Sequence, residues 1–285
     1  MAEAPLADDP ADAARVAALA LAEDGARDVT TECVLSGARS GSGALEVRER
    51  VIMAGSRYAE AVAHACELQV VWAVGDGDRV DAAGVMGHLN GDVRALLRAE
   101  RPLLNVLQRA CGIATTTRAF VEALQGTTCR VLHTRKTAPG LRGLDLSAVR
   151  AGGGELHRTR LDSAVLVKDN HWRLLRLQGA TLAATLDTAR RRGCSSLYVE
   201  VESQAELEDA CRAGATLVLV DNQDPETFRR WAEAARRLRP GIVLEASGGI
   251  TLANVRQFAL AGADCVSVGA LTHSPRAVDI ALTLR

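Results

Sequence analysis

Lysine is almost absent from this sequence, and the two positions that keep it are the first clue to chemistry. The 285-residue chain carries 34 basic side chains, yet lysine stands only at Lys136 and Lys168. A surface site accepts either cation, so an arginine-biased sequence keeps lysine where a compact, mobile ammonium is needed instead of a planar fork. Each lysine follows a short β-branched run, in Thr134-Arg135-Lys136 and in Lys168-Asp169-Asn170-His171. Glu200 and Asp221 end two later runs. Carboxylates sharing one mouth could hold a hydrated Mg²⁺ that bridges a diphosphate, or stabilise positive charge developing on a sugar ring. Ser247-Gly248-Gly249 leads toward a helical stretch near Leu252, where bare backbone N–H groups can approach a phosphate. Gly269, after the next run, would complete that cradle. The run from Gly152 to Arg158 reads as a flexible turn delivering His157 and Arg158. With Arg135 they could form a pocket for a small dianion, since guanidinium grips carboxylates two atoms at a time.

Such residues work together only if a scaffold gathers them. Up to about residue 112 the pattern mixes α and β. Helical patterning covers Ala11 to Leu21 and Tyr58 to Cys66, and strand-like runs cover Ala44 to Arg48, Leu68 to Val74 and Asp81 to Leu89. A helix is expected from near Ala95 to Gly112, and a second from Ala114 to Leu124. A regular beat follows, with apolar runs at Arg130–His133, Ala164–Val167, Leu197–Val201, Leu217–Val220, Ile242–Glu245 and Cys265–Val268. Amphipathic helices are expected between several of them, at Gln204–Ala213, Glu226–Leu238 and Leu252–Ala261. Apolar strands alternating with helices predict a parallel sheet covered on its outer face. The stretch is too short for an eight-unit barrel of roughly 250 residues, so a six- or seven-stranded barrel-like sheet is expected. Its active residues would sit at the C-terminal strand ends.

Composition removes several classes of function. A net charge of -1 supplies no field to hold nucleic acid or an anionic membrane, and 3% aromatic content leaves little for base stacking. With 48% hydrophobic residues the chain can build one large core or two modest ones. No apolar run approaches the roughly 20 residues of a membrane span. The N-terminus carries Glu3, Asp8, Asp9 and Asp12 and has only the short apolar stretch Val16 to Ala22, which does not read as a secretory signal. A cytoplasmic protein is expected, with no nucleic-acid and no membrane partner. The seven cysteines form no C-x-x-C pair and read as reduced thiols, with no metal assigned to them.

Taken in order, the motifs resemble those of one family. They are Glu100-Arg-x-x-Leu-Asn105, Cys111-Gly-Ile-Ala114, Thr134-Arg-Lys-Thr-x-Pro-Gly-Leu-Arg142, Ala148-Val-Arg-x-Gly-Gly-Gly154, His157-Arg158, Lys168-Asp-Asn-His171, Glu200-Val-Glu202, Asp221-Asn222, Glu245-Ala-Ser-Gly-Gly-Ile250 and Val268-Gly-Ala-Leu-Thr-His273. With Asp28-Val-Thr-Thr31 and Met53-Ala-Gly55 near the N-terminus, the sequence resembles the quinolinate phosphoribosyltransferases over nearly its whole length. The resemblance implies an α/β enzyme with two domains. An N-terminal α/β sandwich (1–112, joined by the C-terminal segment 275–285) would pack on a barrel-like catalytic domain (113–274). It implies transfer of phosphoribosyl from phosphoribosyl diphosphate to quinolinate with decarboxylation, Mg²⁺ as cofactor, and a homodimer. By that likeness Arg101 (from the partner subunit), Thr134, Arg135, His157, Arg158 and Lys168 would hold quinolinate. Lys136, Asn170, His171, Ser247, Gly248, Gly249 and Gly269 would hold phosphoribosyl diphosphate. Lys136, Lys168, Glu200 and Asp221 would be catalytic, with Glu200 and Asp221 holding Mg²⁺ through water.

Two positions depart from the family pattern. Asp145-Leu146-Ser147 stands where an acidic-Lys-Tyr run is usual, and Leu156 where Asn is usual; both are expected to flank the substrate pocket. Three other readings remain open. A sister transferase would act on another aromatic acid, a Schiff-base lyase would use Lys168 or Lys136 as nucleophile, and a ligand sensor would keep the fold without catalysis.

Overall fold

The computed structural model describes Ala7 and residues 9–285, so Glu3 and Asp8 of the acidic lead lie outside the described residues. The chain forms two compact units, one from Met1–Arg118, Lys136–Gly154 and Ala270–Arg285, the other from Ala119–Arg135 and Glu155–Gly269.

The first unit opens with α1 (Pro10–Glu23), where the Asp9 carboxylate accepts the Ala11 N–H at 2.9 Å and Pro10 occupies the first turn. There follow α2 (Val29–Val34), β1 (Ser40–Val47), β2 (Val51–Ile52), α3 (Ser56–Ala65), β3 (Gln69–Trp72), β4 (Arg79–Val80), β5 (Val85–Asp92) and α4 (Val93–Ala123). The second unit carries β6 (Arg130–Leu132), and α5 (Arg142–Ala151) returns to the first. Next come β7 (Val165–Val167), α6 (Asp169–Gln178), α7 (Leu182–Arg191), β8 (Leu197–Val201), α8 (Gln204–Arg212), β9 (Leu217–Asp221), α9 (Pro225–Leu238), β10 (Val243–Ser247), α10 (Val255–Leu260) and β11 (Cys265–Ser267). The chain ends with α11 (Ala270–His273) and β12 (Ile280–Leu284).

In the first unit, β12, β1, β5 and β3 form an antiparallel sheet in that order. Its apolar side buries Leu45, Met86 and Leu89 against Leu103 and Leu107 of α4. The helix expected to break at Gly112 runs unbroken for 31 residues, with Pro102 inside it. Pro102 removes one backbone donor and its ring crowds the Arg98 carbonyl four residues back, yet the helix continues through it. Gly112 is there for space: a Cβ at that position would collide with the Arg276 carbonyl oxygen and stand 3.1 Å from its carbon. A glycine that reads as punctuation in the sequence is a close-packing site in the fold.

In the second unit, the six strands are parallel and ordered β6-β11-β10-β9-β8-β7. Chain order around a ring would be the same, because the last strand pairs with the first. The ring is open between β6 and β7, where only a bridge from Leu132 to Glu155 extends the β6 edge. The six strands match the lower of the two expected numbers. The helix expected from Leu252 starts at Val255, because Asn254 spends its side chain on a turn. Its Oδ1 accepts the Thr251 N–H at 2.8 Å and its Nδ2 donates to the Gly249 carbonyl at 2.9 Å. All seven cysteines are free, and burial pushes the Cys111 and Cys129 thiols up to about 12.

Gly112→Ala should test the close approach inside α4. Helix propensity alone favours alanine by about 1 kcal/mol, whereas the collision with the Arg276 carbonyl predicts a loss of roughly 1–3 kcal/mol. Urea unfolding reads the sign directly.

Candidate active site

Strand alternation decides which side chains meet in the second unit. Side chains in a strand point alternately to the two faces, and in-register neighbours share a face. Glu200 of β8 is in register with Leu219 of β9, Leu219 with Glu245 of β10, and Glu245 with Cys265 of β11. The same face therefore carries Tyr198, Leu217, Val243 and Leu132, which pack as one apolar cluster with Leu219 and Cys265. Two residues further along, it carries Asp221 opposite Ser247, in register at the C-terminal ends. The face is apolar at its base and polar at its mouth. The opposite face (Val199, Val218, Val220, Leu244, Ala246, Val266) is buried, with α8 on β8 and β9 and α10 on β11.

At that mouth the Lys168 Nζ donates to Glu200 Oε2 at 2.6 Å. Lys168 caps α6, and its backbone N–H donates to His171 Nδ1 at 3.0 Å, which leaves Nε2 as the nitrogen turned to other partners. Asn170 and His171 are exposed in the first turn of α6. Trp172 is buried below them and donates its indole N–H to the Glu200 carbonyl at 2.9 Å, fixing the strand end. Burial pushes the Glu200 carboxyl above the usual range; the Lys168 contact pulls it back, and Asp221 and Asp169 raise it again. The influence of Asp221 on Glu200 puts the two carboxylates within electrostatic reach. Two carboxylates suit Mg²⁺, which takes few protein ligands and keeps water and substrate phosphate for the rest. Among the described residues no group of three or more His, Cys, Asp and Glu is arranged to cage a metal.

The glycine cradle is built by Asn222, which was not assigned a role from sequence. Asn222 takes the left-handed conformation at φ 53°, donates its backbone N–H to the Ser247 carbonyl at 2.9 Å and its amide to Asp221 Oδ2 at 2.7 Å. Gly248 lies against it with φ 83°; a Cβ there would strike the Asn222 side chain and stand 2.9 Å from its backbone nitrogen. Gly249, also at positive φ, faces open space. Gly269 lies two residues past the end of β11, the strand beside β10.

Cations gather at the opening between β6 and β7. The segment expected as a flexible turn is pinned instead, with the Gly154 N–H on the Val149 carbonyl at 2.9 Å and the Glu155 N–H on the Val131 carbonyl at 2.8 Å. It delivers His157, whose backbone N–H donates to His133 Nδ1 at 2.9 Å, and then Arg158. Arg158 sits below its ordinary range because of burial first and the neighbouring Arg135 second, with Glu200 acting the other way. Arg135 Nε is buried and has no hydrogen-bond partner. Thr134 and Arg135 are half-buried. Two guanidinium groups face each other's field here with an unused donor between strand ends, an arrangement that fits an anion.

Other expected site residues belong to the first unit. Lys136 is exposed, and its carbonyl accepts the Thr272 hydroxyl at 2.8 Å. Arg101 is exposed on α4. The unusual Asp145-Leu146-Ser147 run is part of the packing. Asp145 is fully buried and takes both arms of Arg109 at 2.8 and 2.9 Å, while Arg109 also reaches the Thr272 carbonyl at 3.1 Å. Asp145 accepts the Ala138 N–H as well, at 3.3 Å, so one network holds Thr272 and the backbone after Lys136. Leu146 is buried without exposure, and Ser147 donates to the Ala7 carbonyl. Leu156 is half-buried between Glu155 and His157.

The sequence profile of the quinolinate phosphoribosyl transferase C-terminal domain matches residues 113–283, and that of the N-terminal domain matches residues 28–111. Similar proteins include a probable nicotinate-nucleotide pyrophosphorylase [carboxylating] of Methanothermobacter thermautotrophicus, 34% identical across 93% of this chain and 95% of that one. The human nicotinate-nucleotide pyrophosphorylase [carboxylating] is 36% identical across 88% and 84%. Among solved structures, the nicotinate-nucleotide pyrophosphorylase of Francisella tularensis superposes with a TM-score of 0.89 at 32% identity, covering 97% of both chains.

The environment of Glu200 makes a stability prediction with a definite sign. A carboxyl whose folded value is raised contributes stability at low pH that is lost as pH rises through that value. Lys168 is exposed enough to remain hydrated without its partner. Glu200→Gln should therefore melt at or above the parent temperature at about pH 8, with the difference shrinking toward about pH 4. A variant that melts lower at the alkaline end contradicts the assignment of burial as the main influence.

Proposed function

This chain belongs to the quinolinate phosphoribosyltransferase family, and from that premise we propose that it makes nicotinic acid mononucleotide from quinolinate and phosphoribosyl diphosphate, releasing diphosphate and carbon dioxide. It is thus a pentosyltransferase of NAD biosynthesis. The observation that carries the reading is the buried, unpartnered Arg135 Nε beside Arg158. A donor in that state needs an anion, and two guanidinium groups suit the paired carboxylates of a pyridine dicarboxylate.

In this reading Thr134, Arg135, His157 and Arg158 hold the dicarboxylate and fix the ring nitrogen toward the ribose carbon. Lys168 faces both the substrate and the departing diphosphate, and its contact with Glu200 keeps the ammonium extended when no substrate is bound. Lys136 is assigned to the diphosphate on the family motif alone. Glu200 and Asp221 stand where positive charge develops on the ribose as the bond to diphosphate breaks. They would also hold Mg²⁺ through water, and the ion would supply charge neutralisation to the diphosphate. Asn170 and His171 meet the diphosphate end, while Ser247, Gly248, Gly249 and Gly269 receive the 5′-phosphate. Once the ring nitrogen is quaternised it accepts the electrons of the adjacent carboxylate, and carbon dioxide leaves.

We assign the working form to a homodimer. Arg101 is exposed on α4, and the exposed Leu161 and Leu174 line one apolar cleft with Val165 and Val167 of β7, which suits burial by a second copy. No helix among the described residues is long and apolar enough to cross a membrane. The substrates are small soluble anions, which fits a cytoplasmic location.

Carboxyl-labelled quinolinate with Mg²⁺ should release labelled carbon dioxide only when phosphoribosyl diphosphate is present. Arg135→Leu and Lys168→Ala should each lower kcat/KM by about 10²–10³. Turnover of nicotinate with no turnover of quinolinate would assign the chain to a sister transferase. Co-expression of Arg101→Leu with Arg135→Leu should restore roughly a quarter of parental activity if sites are shared between two copies. No recovery would confine Arg101 to its own subunit.

A further inference from the structure

Glu245 is a charged residue in the middle of a strand, with no part in the reaction described above. Its side chain points to the inner face of the sheet one layer below Ser247, and its exposure is 1%. Neither carboxylate oxygen has a hydrogen-bond partner. A carboxylate left so in an apolar interior is expensive, so its neighbours have to account for it. The basic side chain facing it is His157, whose Nε2 lies 3.3 Å from Glu245 Oε2. That nitrogen is itself buried and without a hydrogen bond, because the contact is too long or too oblique to qualify. Two complementary buried groups thus stand slightly apart. Contacts of this kind in a ligand-free site often close when the ligand arrives.

The groups around the pair limit what His157 can do. Tyr198 of β8 lies against the imidazole with ring centroids 5.2 Å apart, and His133 after β6 holds the His157 backbone N–H at 2.9 Å. Cys265 of β11 faces Glu245, which adds to the burial that keeps its thiol protonated. Arg158 follows His157 in the chain and lies within electrostatic reach of Arg135. Glu245 is the only acid within salt-bridge distance of His157 among the described residues. With Nε2 turned inward to Glu245, the second ring nitrogen, Nδ1, is the one left for another partner. A ring that carries protons on both nitrogens, balanced by Glu245, donates from Nδ1 to a carboxylate. A neutral ring with its proton on Nε2 offers the carboxylate only a lone pair.

We propose that Glu245 is a positioning residue for His157, its buried carboxylate accepting Nε2–H so that Nδ1 is presented as a donor to one carboxylate of the aromatic acid. The inference rests on the proposed substrate, and it adds how one residue of the pocket is aimed. Glu245 contacts neither substrate nor reacting atoms.

Two readouts test it. The imidazole ¹⁵N resonances of the parent protein, with His157→Asn used for assignment, need no substrate and no Glu245 variant. Protons on both ring nitrogens of His157 are expected, and a lone pair on either nitrogen overturns the proposal. That result stands whether or not quinolinate is the substrate, so its failure is separable from failure of the function. Kinetically, Glu245→Gln should raise the KM for quinolinate about tenfold to a hundredfold, the range for a hydrogen bond involving a charged group. The KM for phosphoribosyl diphosphate should stay within about twofold, the error expected for a distant, independent site. The double variant Glu245→Gln/His157→Asn should be no worse than His157→Asn alone, because the carboxylate acts only through the ring. Equal rises in both KM values, or additive losses in the double variant, overturn the proposal.

Discussion

A guanidinium nitrogen buried without an acceptor is a costly thing to build, and Arg135 Nε is one. Removing the cation would be simpler, yet the fold adds Arg158 beside it, whose affinity for a proton is lowered by burial first and by Arg135 second, so the site gathers like charge. Energy stored in this way is recovered when an anion enters. A ligand with two adjacent carboxylates recovers more of it than one with a single carboxylate, since each guanidinium has a planar pair of donors to satisfy. The account of the site follows from that imbalance.

The rest of the second unit keeps the imbalance from collapsing. Acids are present close by, yet each is committed. Glu200 holds Lys168 at 2.6 Å, Asp221 is held by the Asn222 amide at 2.7 Å, and Glu245 is buried opposite His157 at 3.3 Å. Parallel register explains the separation, because Glu200 and Glu245 flank Leu219 in one layer while Asp221 lies a layer higher beside Ser247. The acids therefore lie on the inner face of β8, β9 and β10, and the arginines enter from the gap between β6 and β7. An enzyme that separates a multiply charged leaving group from a ribose cation needs this division of sign. In the proposed reading, the aromatic acid, the sugar and its phosphate would each meet groups of the opposite charge or bare backbone N–H.

The sequence makes parts of this arrangement readable and hides others for physical reasons. Apolar β-branched runs with polar ends locate β6 to β11 within a residue or two, and residues at those ends fall on a common face because alternation is a local rule. Lys168, Glu200, Asp221 and Ser247 were found in this way. Gly112 misleads because its purpose is the passage of the Arg276 backbone, which is remote in sequence. Asn222 and Asn254 look like ordinary loop residues, and only the turn geometry reveals that they shape the glycine cradle. The departure at Asp145-Leu146-Ser147 suggested a change beside the substrate. In the fold Leu146 is core, and Asp145 with Arg109 braces Thr272 and the backbone after Lys136. Leu146 thus packs in the first unit at the position where the family usually carries a lysine.

The central claim is that Arg135, with its buried Nε unpartnered, and the neighbouring Arg158 are set to receive a dianion. Calorimetric titration with benzene-1,2-dicarboxylate, which has no ring nitrogen and cannot react, compared with benzoate, tests it without turnover. The account predicts that the dicarboxylate binds at least about tenfold more tightly, the effect of one further charge-assisted hydrogen bond, and that Arg135→Leu removes the preference. Equal affinity of the two acids for the parent protein, or an unchanged preference in Arg135→Leu, would contradict it.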